Sequence, residues 1–176
     1  KDKLLGDGVI EFHLIAQAEE EGLIMRVSTQ NLPSSVELLA VYGGASGQSF
    51  SRAGDIGADP ESGFYLLPSY CQYNSFTIKK NSFTLNYLNK KKQKEQVAGV
   101  FSNNPEMKLL DAHQLANAAV LWKTKADKLP VIGACYKLTG QETIYIAIQR
   151  QEENSAKHTK ALEETYRLAE EKRVRL

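Results

Sequence analysis

With 176 residues, 42% of them apolar, the chain is long enough to bury one substantial core and reads as a single domain with a tail. Its 22 basic and 21 acidic residues leave a formal net charge of +1, so no whole-molecule field favours nucleic acid or an anionic membrane surface. No apolar run is long enough to span a bilayer. A chain that starts at Lys1 without a signal peptide reads as processed or as a fragment, which says nothing about where its parent resides.

Val9 to Ala18 alternates. Ile10, Phe12, Leu14, Ala16 and Ala18 fall on one side, Glu11, His13 and Gln17 on the other, which predicts a half-buried strand. His13, on the polar face, reads as an ordinary surface histidine. Glu19-Glu20-Glu21-Gly22 makes a turn, Leu23 to Thr29 returns, and Asn31-Leu32-Pro33-Ser34 breaks that strand. Val36 to Tyr42 is a third strand, rich in β-branched and aliphatic residues. Past a glycine-rich stretch, Phe64 to Leu67 reads as extended. Ser75 to Lys79 and Ser82 to Leu88 form a hairpin about Lys80-Asn81, with Phe76 and Ile78 facing Phe83, Leu85 and Tyr87.

Asn89 to Gln96 is a lysine-rich tip, in which Lys90, Lys91 and Lys92 read as solvated charge. Val97 to Phe101 is a strand ended by Asn103-Asn104-Pro105. Met107 to Leu110, Ala118 to Lys123, Val131 to Leu138 and Thr143 to Gln149 follow as strands, the last two joined by a tight turn at Thr139-Gly140-Gln141. Roughly ten short strands without an intervening helical period predict an all-β, antiparallel β-sandwich rather than parallel αβ units. The sandwich spans residues 1–152, and residues 153–176 form a helical linker. Ser155 to Arg175 is helical in composition, capped by Asn154 or Ser155, with Glu163 paired to Arg167 and Glu171 to Arg175. Its apolar stripe (Leu162, Tyr166, Ala169) is thin, as in a helix that lies on a surface or leads to another element. No helix-ending glycine precedes Leu176, which reads as a truncation point.

Cys71 and Cys135 sit in strand-like contexts and read as buried free thiols, with a disulfide left open. Neither has zinc-ligand spacing, and His13, His113 and His158 are scattered. The stretch from Tyr42 to Tyr65 holds six glycines. It is not a phosphate loop, because no Lys follows the glycines and Pro60 and Gly63 interrupt any helix. As a calcium loop it is weak: Asp55, Asp59 and Glu61 lack the alternating carboxylate pattern. A long crossover, with Arg52 paired to Asp55 or Asp59, is one reading. The other is a loop that reaches a ligand or a neighbouring domain. There Ser46, Gln48, Ser51, Arg52, Asp55, Asp59 and Glu61 offer polar contacts, and Phe50, Phe64, Tyr65 or Tyr70 could stack on a sugar ring.

Catalysis within the chain finds little support. Glycoside hydrolysis needs two spaced carboxylates, and the loop acids beside Arg52 would stay ionised. Ser46 in Gly43-Gly44-Ala45-Ser46-Gly47 lacks the elbow spacing and the following helix of a hydrolase nucleophile. The chain is expected to carry no catalytic residues, cofactor or metal.

The string YGGASGQSFSRAGDIGADPESGFYLLPSYCQYNSFTI resembles the signature of a domain-of-unknown-function family from large proteins of glycan-foraging gut bacteria. The resemblance extends through GVIEFHLIAQAEEEGLIMRV, AVLWKTKADKLPVIGACYKL and ALEETYRLAEEKRVRL, and so over most of the chain. It implies a secreted or periplasmic parent built like six-hairpin glycosidases. In such proteins a galactose-mutarotase-like β-supersandwich joins, through a linker helix, a downstream (α/α)6 domain that carries the catalytic carboxylates. The implied function is a non-catalytic N-terminal domain that supports, and can line, the substrate cleft. A stand-alone carbohydrate-binding module is the alternative. Oligosaccharide and the downstream domain are the expected partners, with no nucleic acid and no membrane insertion. Against the module, Trp122 in Ala-Val-Leu-Trp-Lys reads as buried, leaving Tyr65 to Tyr73 to supply a stacking platform.

Overall fold

The computed structural model describes residue 3 and residues 5–46, 67–151 and 161–174, except for the side chains of residues 34 and 35. Among these residues seven strands form: β1 (Val9–Ala16), β2 (Gly22–Tyr42), β3 (Ser75–Lys79), β4 (Ser82–Leu88), β5 (Lys94–Phe101), β6 (Glu106–Asp111) and β7 (Pro130–Gln151). Two helices, α1 (Ala118–Leu121) and α2 (Leu162–Val174), and two 3-10 turns, Pro68–Cys71 and Ala112–Gln114, complete the described elements. Every strand pairing is antiparallel, in the order β1-β2-β7-β5-β4-β3, with β6 added to the first part of β7.

One continuous sheet makes both layers because β2 and β7 bend. Phe83 on β4 is linked through Gly99 and Ile148 to Leu23 near the start of β2. A straight strand from Leu23 to Tyr42 would be about 60 Å long. Yet the Tyr42 and Phe83 ring centroids lie 5.7 Å apart. The far end of the β2–β7 pair, with β6, therefore folds back over the near end, giving an all-β sandwich-like fold of two leaves. The bend falls where the β2–β7 register shifts, between Thr29 and Val36. Asn31 there has φ +53° and Gly140, opposite Leu32, has φ +56°. The breaks expected at Asn31-Leu32-Pro33-Ser34 and at Thr139-Gly140-Gln141 are thus bends within single long strands, not the ends of separate ones. Turn-forming residues supply the kink while the ladder resumes on either side.

Alternation decides what each leaf buries. Val27, Phe83, Leu85, Phe101, Ile144 and Ile146 on the first leaf meet Val36, Ile132, Ala134, Tyr136 and Leu138 on the second. The Phe83 ring lies against the Cα of Gly99, its cross-strand partner, where an added Cβ would come within 2.1 Å of the ring. On the outer face of the first leaf, α2 buries Leu162, Tyr166 and Ala169 against Ile24 and Ala147. The three predicted stripe residues are buried, together with Thr165. On the outer face of the second leaf, Leu110 and Val131 are covered by Cys71, Ala112 and Leu121.

Several local expectations change. The hairpin of Ser75–Lys79 and Ser82–Leu88 forms with Phe76 opposite Leu85 and Ile78 opposite Phe83. Ala118–Lys123 is not a strand: Asn117 Oδ1 accepts the Ala119 and Val120 N–H groups at 3.1 Å each and starts the single helical turn of α1. Phe12 and Leu14, expected on a buried face, are 54% and 59% exposed, because the second leaf does not reach the β1 edge. His13 is not a plain surface residue, since its Nδ1 lies 2.7 Å from Tyr166 Oη on α2. The Tyr166 hydroxyl gives its one proton to Glu170 Oε1 at 3.0 Å, so the imidazole donates to it. Both cysteines are free, Cys71 buried and Cys135 half-buried.

Candidate functional site

Of the residues singled out in the loop, Ser46 and Tyr70 lie within the described structure, and it places both on one cleft. Gln48, Arg52, Asp55, Asp59, Glu61 and Tyr65 lie outside the described residues, as do Phe50, Ser51 and Phe64. The cleft has a volume of about 300 Å³ and is walled by Tyr70, Tyr73 and Tyr87, with Ser46, Ser69 and Gln72 along its rim.

Three local structures build it. The first is the end of β2, which leaves the sheet at Tyr42 and enters the glycine-rich stretch. The second is the 3-10 turn that Pro68 starts, with the Tyr70 N–H donating to Leu67 O at 2.9 Å and the Gln72 N–H to Ser69 O at 3.2 Å. Asn74 joins the two. Its side chain is buried, its Oδ1 accepts the Gly44 N–H at 3.1 Å, and its Nδ2 donates to Ala45 O at 2.6 Å. A buried amide satisfied at both ends holds the loop entrance against the turn. The third is the β4–β5 hairpin end, which brings Tyr87. Its hydroxyl donates to Glu95 Oε2 at 3.0 Å, and Asn89 Nδ2 donates to Glu95 Oε1 at 2.7 Å. Hydrogen bonds from Asn89 and Tyr87 hold the Glu95 carboxyl below its usual range, and Arg150, 3.6 Å away, acts in the same direction. Burial and that same carboxylate push the Tyr87 hydroxyl up, so it remains a neutral donor.

Tyr73 is the distinctive residue. It is 81% exposed and its backbone is left-handed, with φ +69°. A bulky residue there costs about 1–2 kcal/mol of local strain. The conformation turns the chain so that Asn74 points inward while the Tyr73 ring points to solvent at the cleft. An exposed ring beside half-buried Tyr70 and Tyr87, with the Gln72 amide and Ser69 hydroxyl near, suits a flat apolar face edged with hydrogen-bonding groups. Sequence reasoning singled out Tyr70 and Ser46, placed Tyr87 only in the β3–β4 hairpin, and assigned nothing to Asn74 or Gln72. The Asn74 contacts to Gly44 and Ala45 span some thirty positions of chain, and no short-range pattern signals them.

A second depression, of about 480 Å³, is lined by Glu37, Asn103, Asn104, Glu106, Trp122 and Glu142 among others. One face of the Trp122 ring is covered there, because Lys108 Nζ sits 3.8 Å from its centroid. Trp122 is half-buried on the outer face of the second leaf. Nearby, burial pushes the Asp111 carboxyl up. Hydrogen bonds from the His113 side chain, the His113 N–H and the Asp127 N–H outweigh that and hold it below its usual range. Among the described residues, no group of three or more His, Cys, Asp or Glu side chains is placed to hold a metal ion. No described helix is long and apolar enough to cross a membrane.

Residues 1–170 match the family model DUF4450, a domain of unknown function. No curated protein matches the sequence.

Proposed function

The chain belongs to the DUF4450 family, and on that premise we propose that it is a non-catalytic β-sandwich domain of a glycoside-hydrolase-like parent. In this reading it supports a downstream helical barrel and lends a wall to the glycan cleft. The observation that carries it is the tyrosine cleft at the entrance of the glycine-rich stretch, with Tyr73 held open to solvent in a strained conformation. Strain kept at an exposed aromatic suits recognition better than packing. Sugar rings present apolar C–H faces to such a ring and hydroxyls to amides like that of Gln72. The secreted or periplasmic setting, the downstream (α/α)6 domain and the glycan itself come from the resemblance of the loop sequence. A self-contained carbohydrate-binding module is the second reading, favoured by the same exposed ring.

The test is calorimetric titration of neutral oligosaccharides into the chain alone and into the parent polypeptide, each with Tyr70→Ala and Tyr73→Ala. The supporting-domain reading expects weak or no binding to the chain alone. It expects a tenfold or greater loss of glycan affinity in the parent when either ring is removed, about 1.4 kcal/mol or more. Saturable, tyrosine-dependent binding by the chain alone would instead make it a module. Substitutions without effect in either protein would exclude the cleft.

A further inference from the structure

We propose that the outer edge of β1 pairs with the same edge of a second copy of this chain, in one register, to form a two-fold symmetric dimer. β1 is the end strand of the sheet, and among the described residues only β2 pairs with it. An open edge presents unpaired backbone N–H and C=O groups that fit another strand.

Which residues point outward follows from the ladder. The Gln17 N–H donates to Gly22 O at 2.9 Å at the hairpin end. Antiparallel residues alternate between bonding inward and outward, so the odd residues of β1 bond β2, and Ile10, Phe12 and Leu14 present their backbone groups to the open edge. The same three side chains lie on one face, where Phe12, Leu14 and neighbouring Leu23 are 54%, 59% and 49% exposed. The edge is therefore open in its backbone and apolar in its side chains.

The sequence of β1 selects its own reverse as the partner. Antiparallel self-pairing centred on Phe12 sets Phe12 opposite Phe12, Ile10 opposite Leu14 and Glu11 opposite His13. Each outward-bonding residue then meets another outward-bonding one, so every pair of that kind exchanges two hydrogen bonds. The apolar residues face one another across the two-fold axis, and each carboxylate meets an imidazole of the second copy. Centring on Glu11 would set Glu11 against Glu11, and centring on His13 would set His13 against His13. Two carboxylates directly opposite are unfavourable, and every register that matches outward-bonding residues but the one centred on Phe12 sets at least one of Ile10, Phe12 and Leu14 against a glycine or an alanine, so apolar matching leaves the Phe12 register. The Nδ1–H of His13 is given to Tyr166, so Glu11 of the second copy faces Nε2, which donates to the carboxylate when the ring carries both protons. One strand edge makes an interface at the small end of the specific range, so a dimer that forms reversibly at micromolar or higher concentration is expected.

The experiment is sedimentation equilibrium on the full chain over a wide concentration range, paired with cysteine cross-linking. The expected result is a mass that rises toward twice that of one chain. Phe12→Lys and Glu11→Lys should each return it to one chain, with unchanged circular dichroism and melting. In a Cys135→Ser background, Phe12→Cys should cross-link to itself on air oxidation, since a hydrogen-bonded pair sets its Cα atoms about 5.5 Å apart, within disulfide range. Ile10→Cys should cross-link efficiently only when mixed with Leu14→Cys. Should Phe12→Lys fail to fold, the cross-links decide. A chain that stays monomeric throughout overturns the proposal, leaving this edge to another element of the parent. A dimer insensitive to both lysine variants, or one in which Ile10→Cys self-links and Phe12→Cys does not, overturns it equally.

Discussion

At the scale of single residues, burial and hydrogen bonding decide chemistry that residue type leaves open. Cys71 and Cys135 read alike in sequence, yet Cys71 has no exposed surface, and burial pushes its thiol up to about 11. Cys135 is raised too, chiefly by burial, but remains half-exposed. Iodoacetamide should therefore modify Cys135 slowly in the folded chain and Cys71 only after unfolding, as peptide mass mapping would show. Asp111 gives the pH dependence. Its carboxyl is lower in the folded chain than in the unfolded one, so its stabilisation is fully present above the ordinary carboxylate range. That stabilisation is lost as the pH falls through the lowered folded value, below about pH 4. Asp111→Asn should cost about 1–3 kcal/mol at neutral pH and flatten this acid limb in urea titrations. Neither Asp111 nor His113 stood out in sequence, because their partnership depends on the turn that Asp111 caps.

At the scale of elements, the C-terminal helix shows how a thin stripe can suffice. Its apolar positions are few, but Tyr166 serves two purposes. Its ring packs 5.7 Å from the Tyr145 ring and under the Arg26 guanidinium, 4.9 Å from its centroid, and its hydroxyl links His13 to Glu170. Tyr166→Phe should cost about 1 kcal/mol for the lost hydrogen bonds and Tyr166→Ala about 3 kcal/mol or more. Hydrogen exchange would locate the loss in α2 before the strands. The helix was legible from its composition and its 162, 166, 169 spacing. Its surface pairing differed: Arg167 pairs with Glu171 rather than with Glu163. The single turn α1 was not legible, because four residues hold too little periodicity to set against a run of apolar residues.

At the scale of the whole molecule, two bent strands convert one sheet into two leaves. Gly140 sits at the bend with φ +56° and open space around its Cα. Gly140→Ala meets no neighbour, so its cost should be backbone strain alone, about 1 kcal/mol, measurable as a shifted urea midpoint with unchanged slope. The bend also explains the exposed β1 edge. The second leaf covers the middle of the first, and the alternation that promised burial for Phe12 and Leu14 is fulfilled only where a second layer exists.

Local spacing alone sets the all-β class, the β3–β4 hairpin and its register, and the buried stripe of α2. Each of these rests on neighbours in the chain, where period-two and helical spacing act directly. Long-range contacts decide that predicted breaks are bends, that Asn74 fastens the cleft to Gly44 and Ala45, and that β1 ends the sheet among the described residues with apolar side chains uncovered. Those outcomes depend on which distant strands meet, and local spacing holds no information about a partner a hundred residues away.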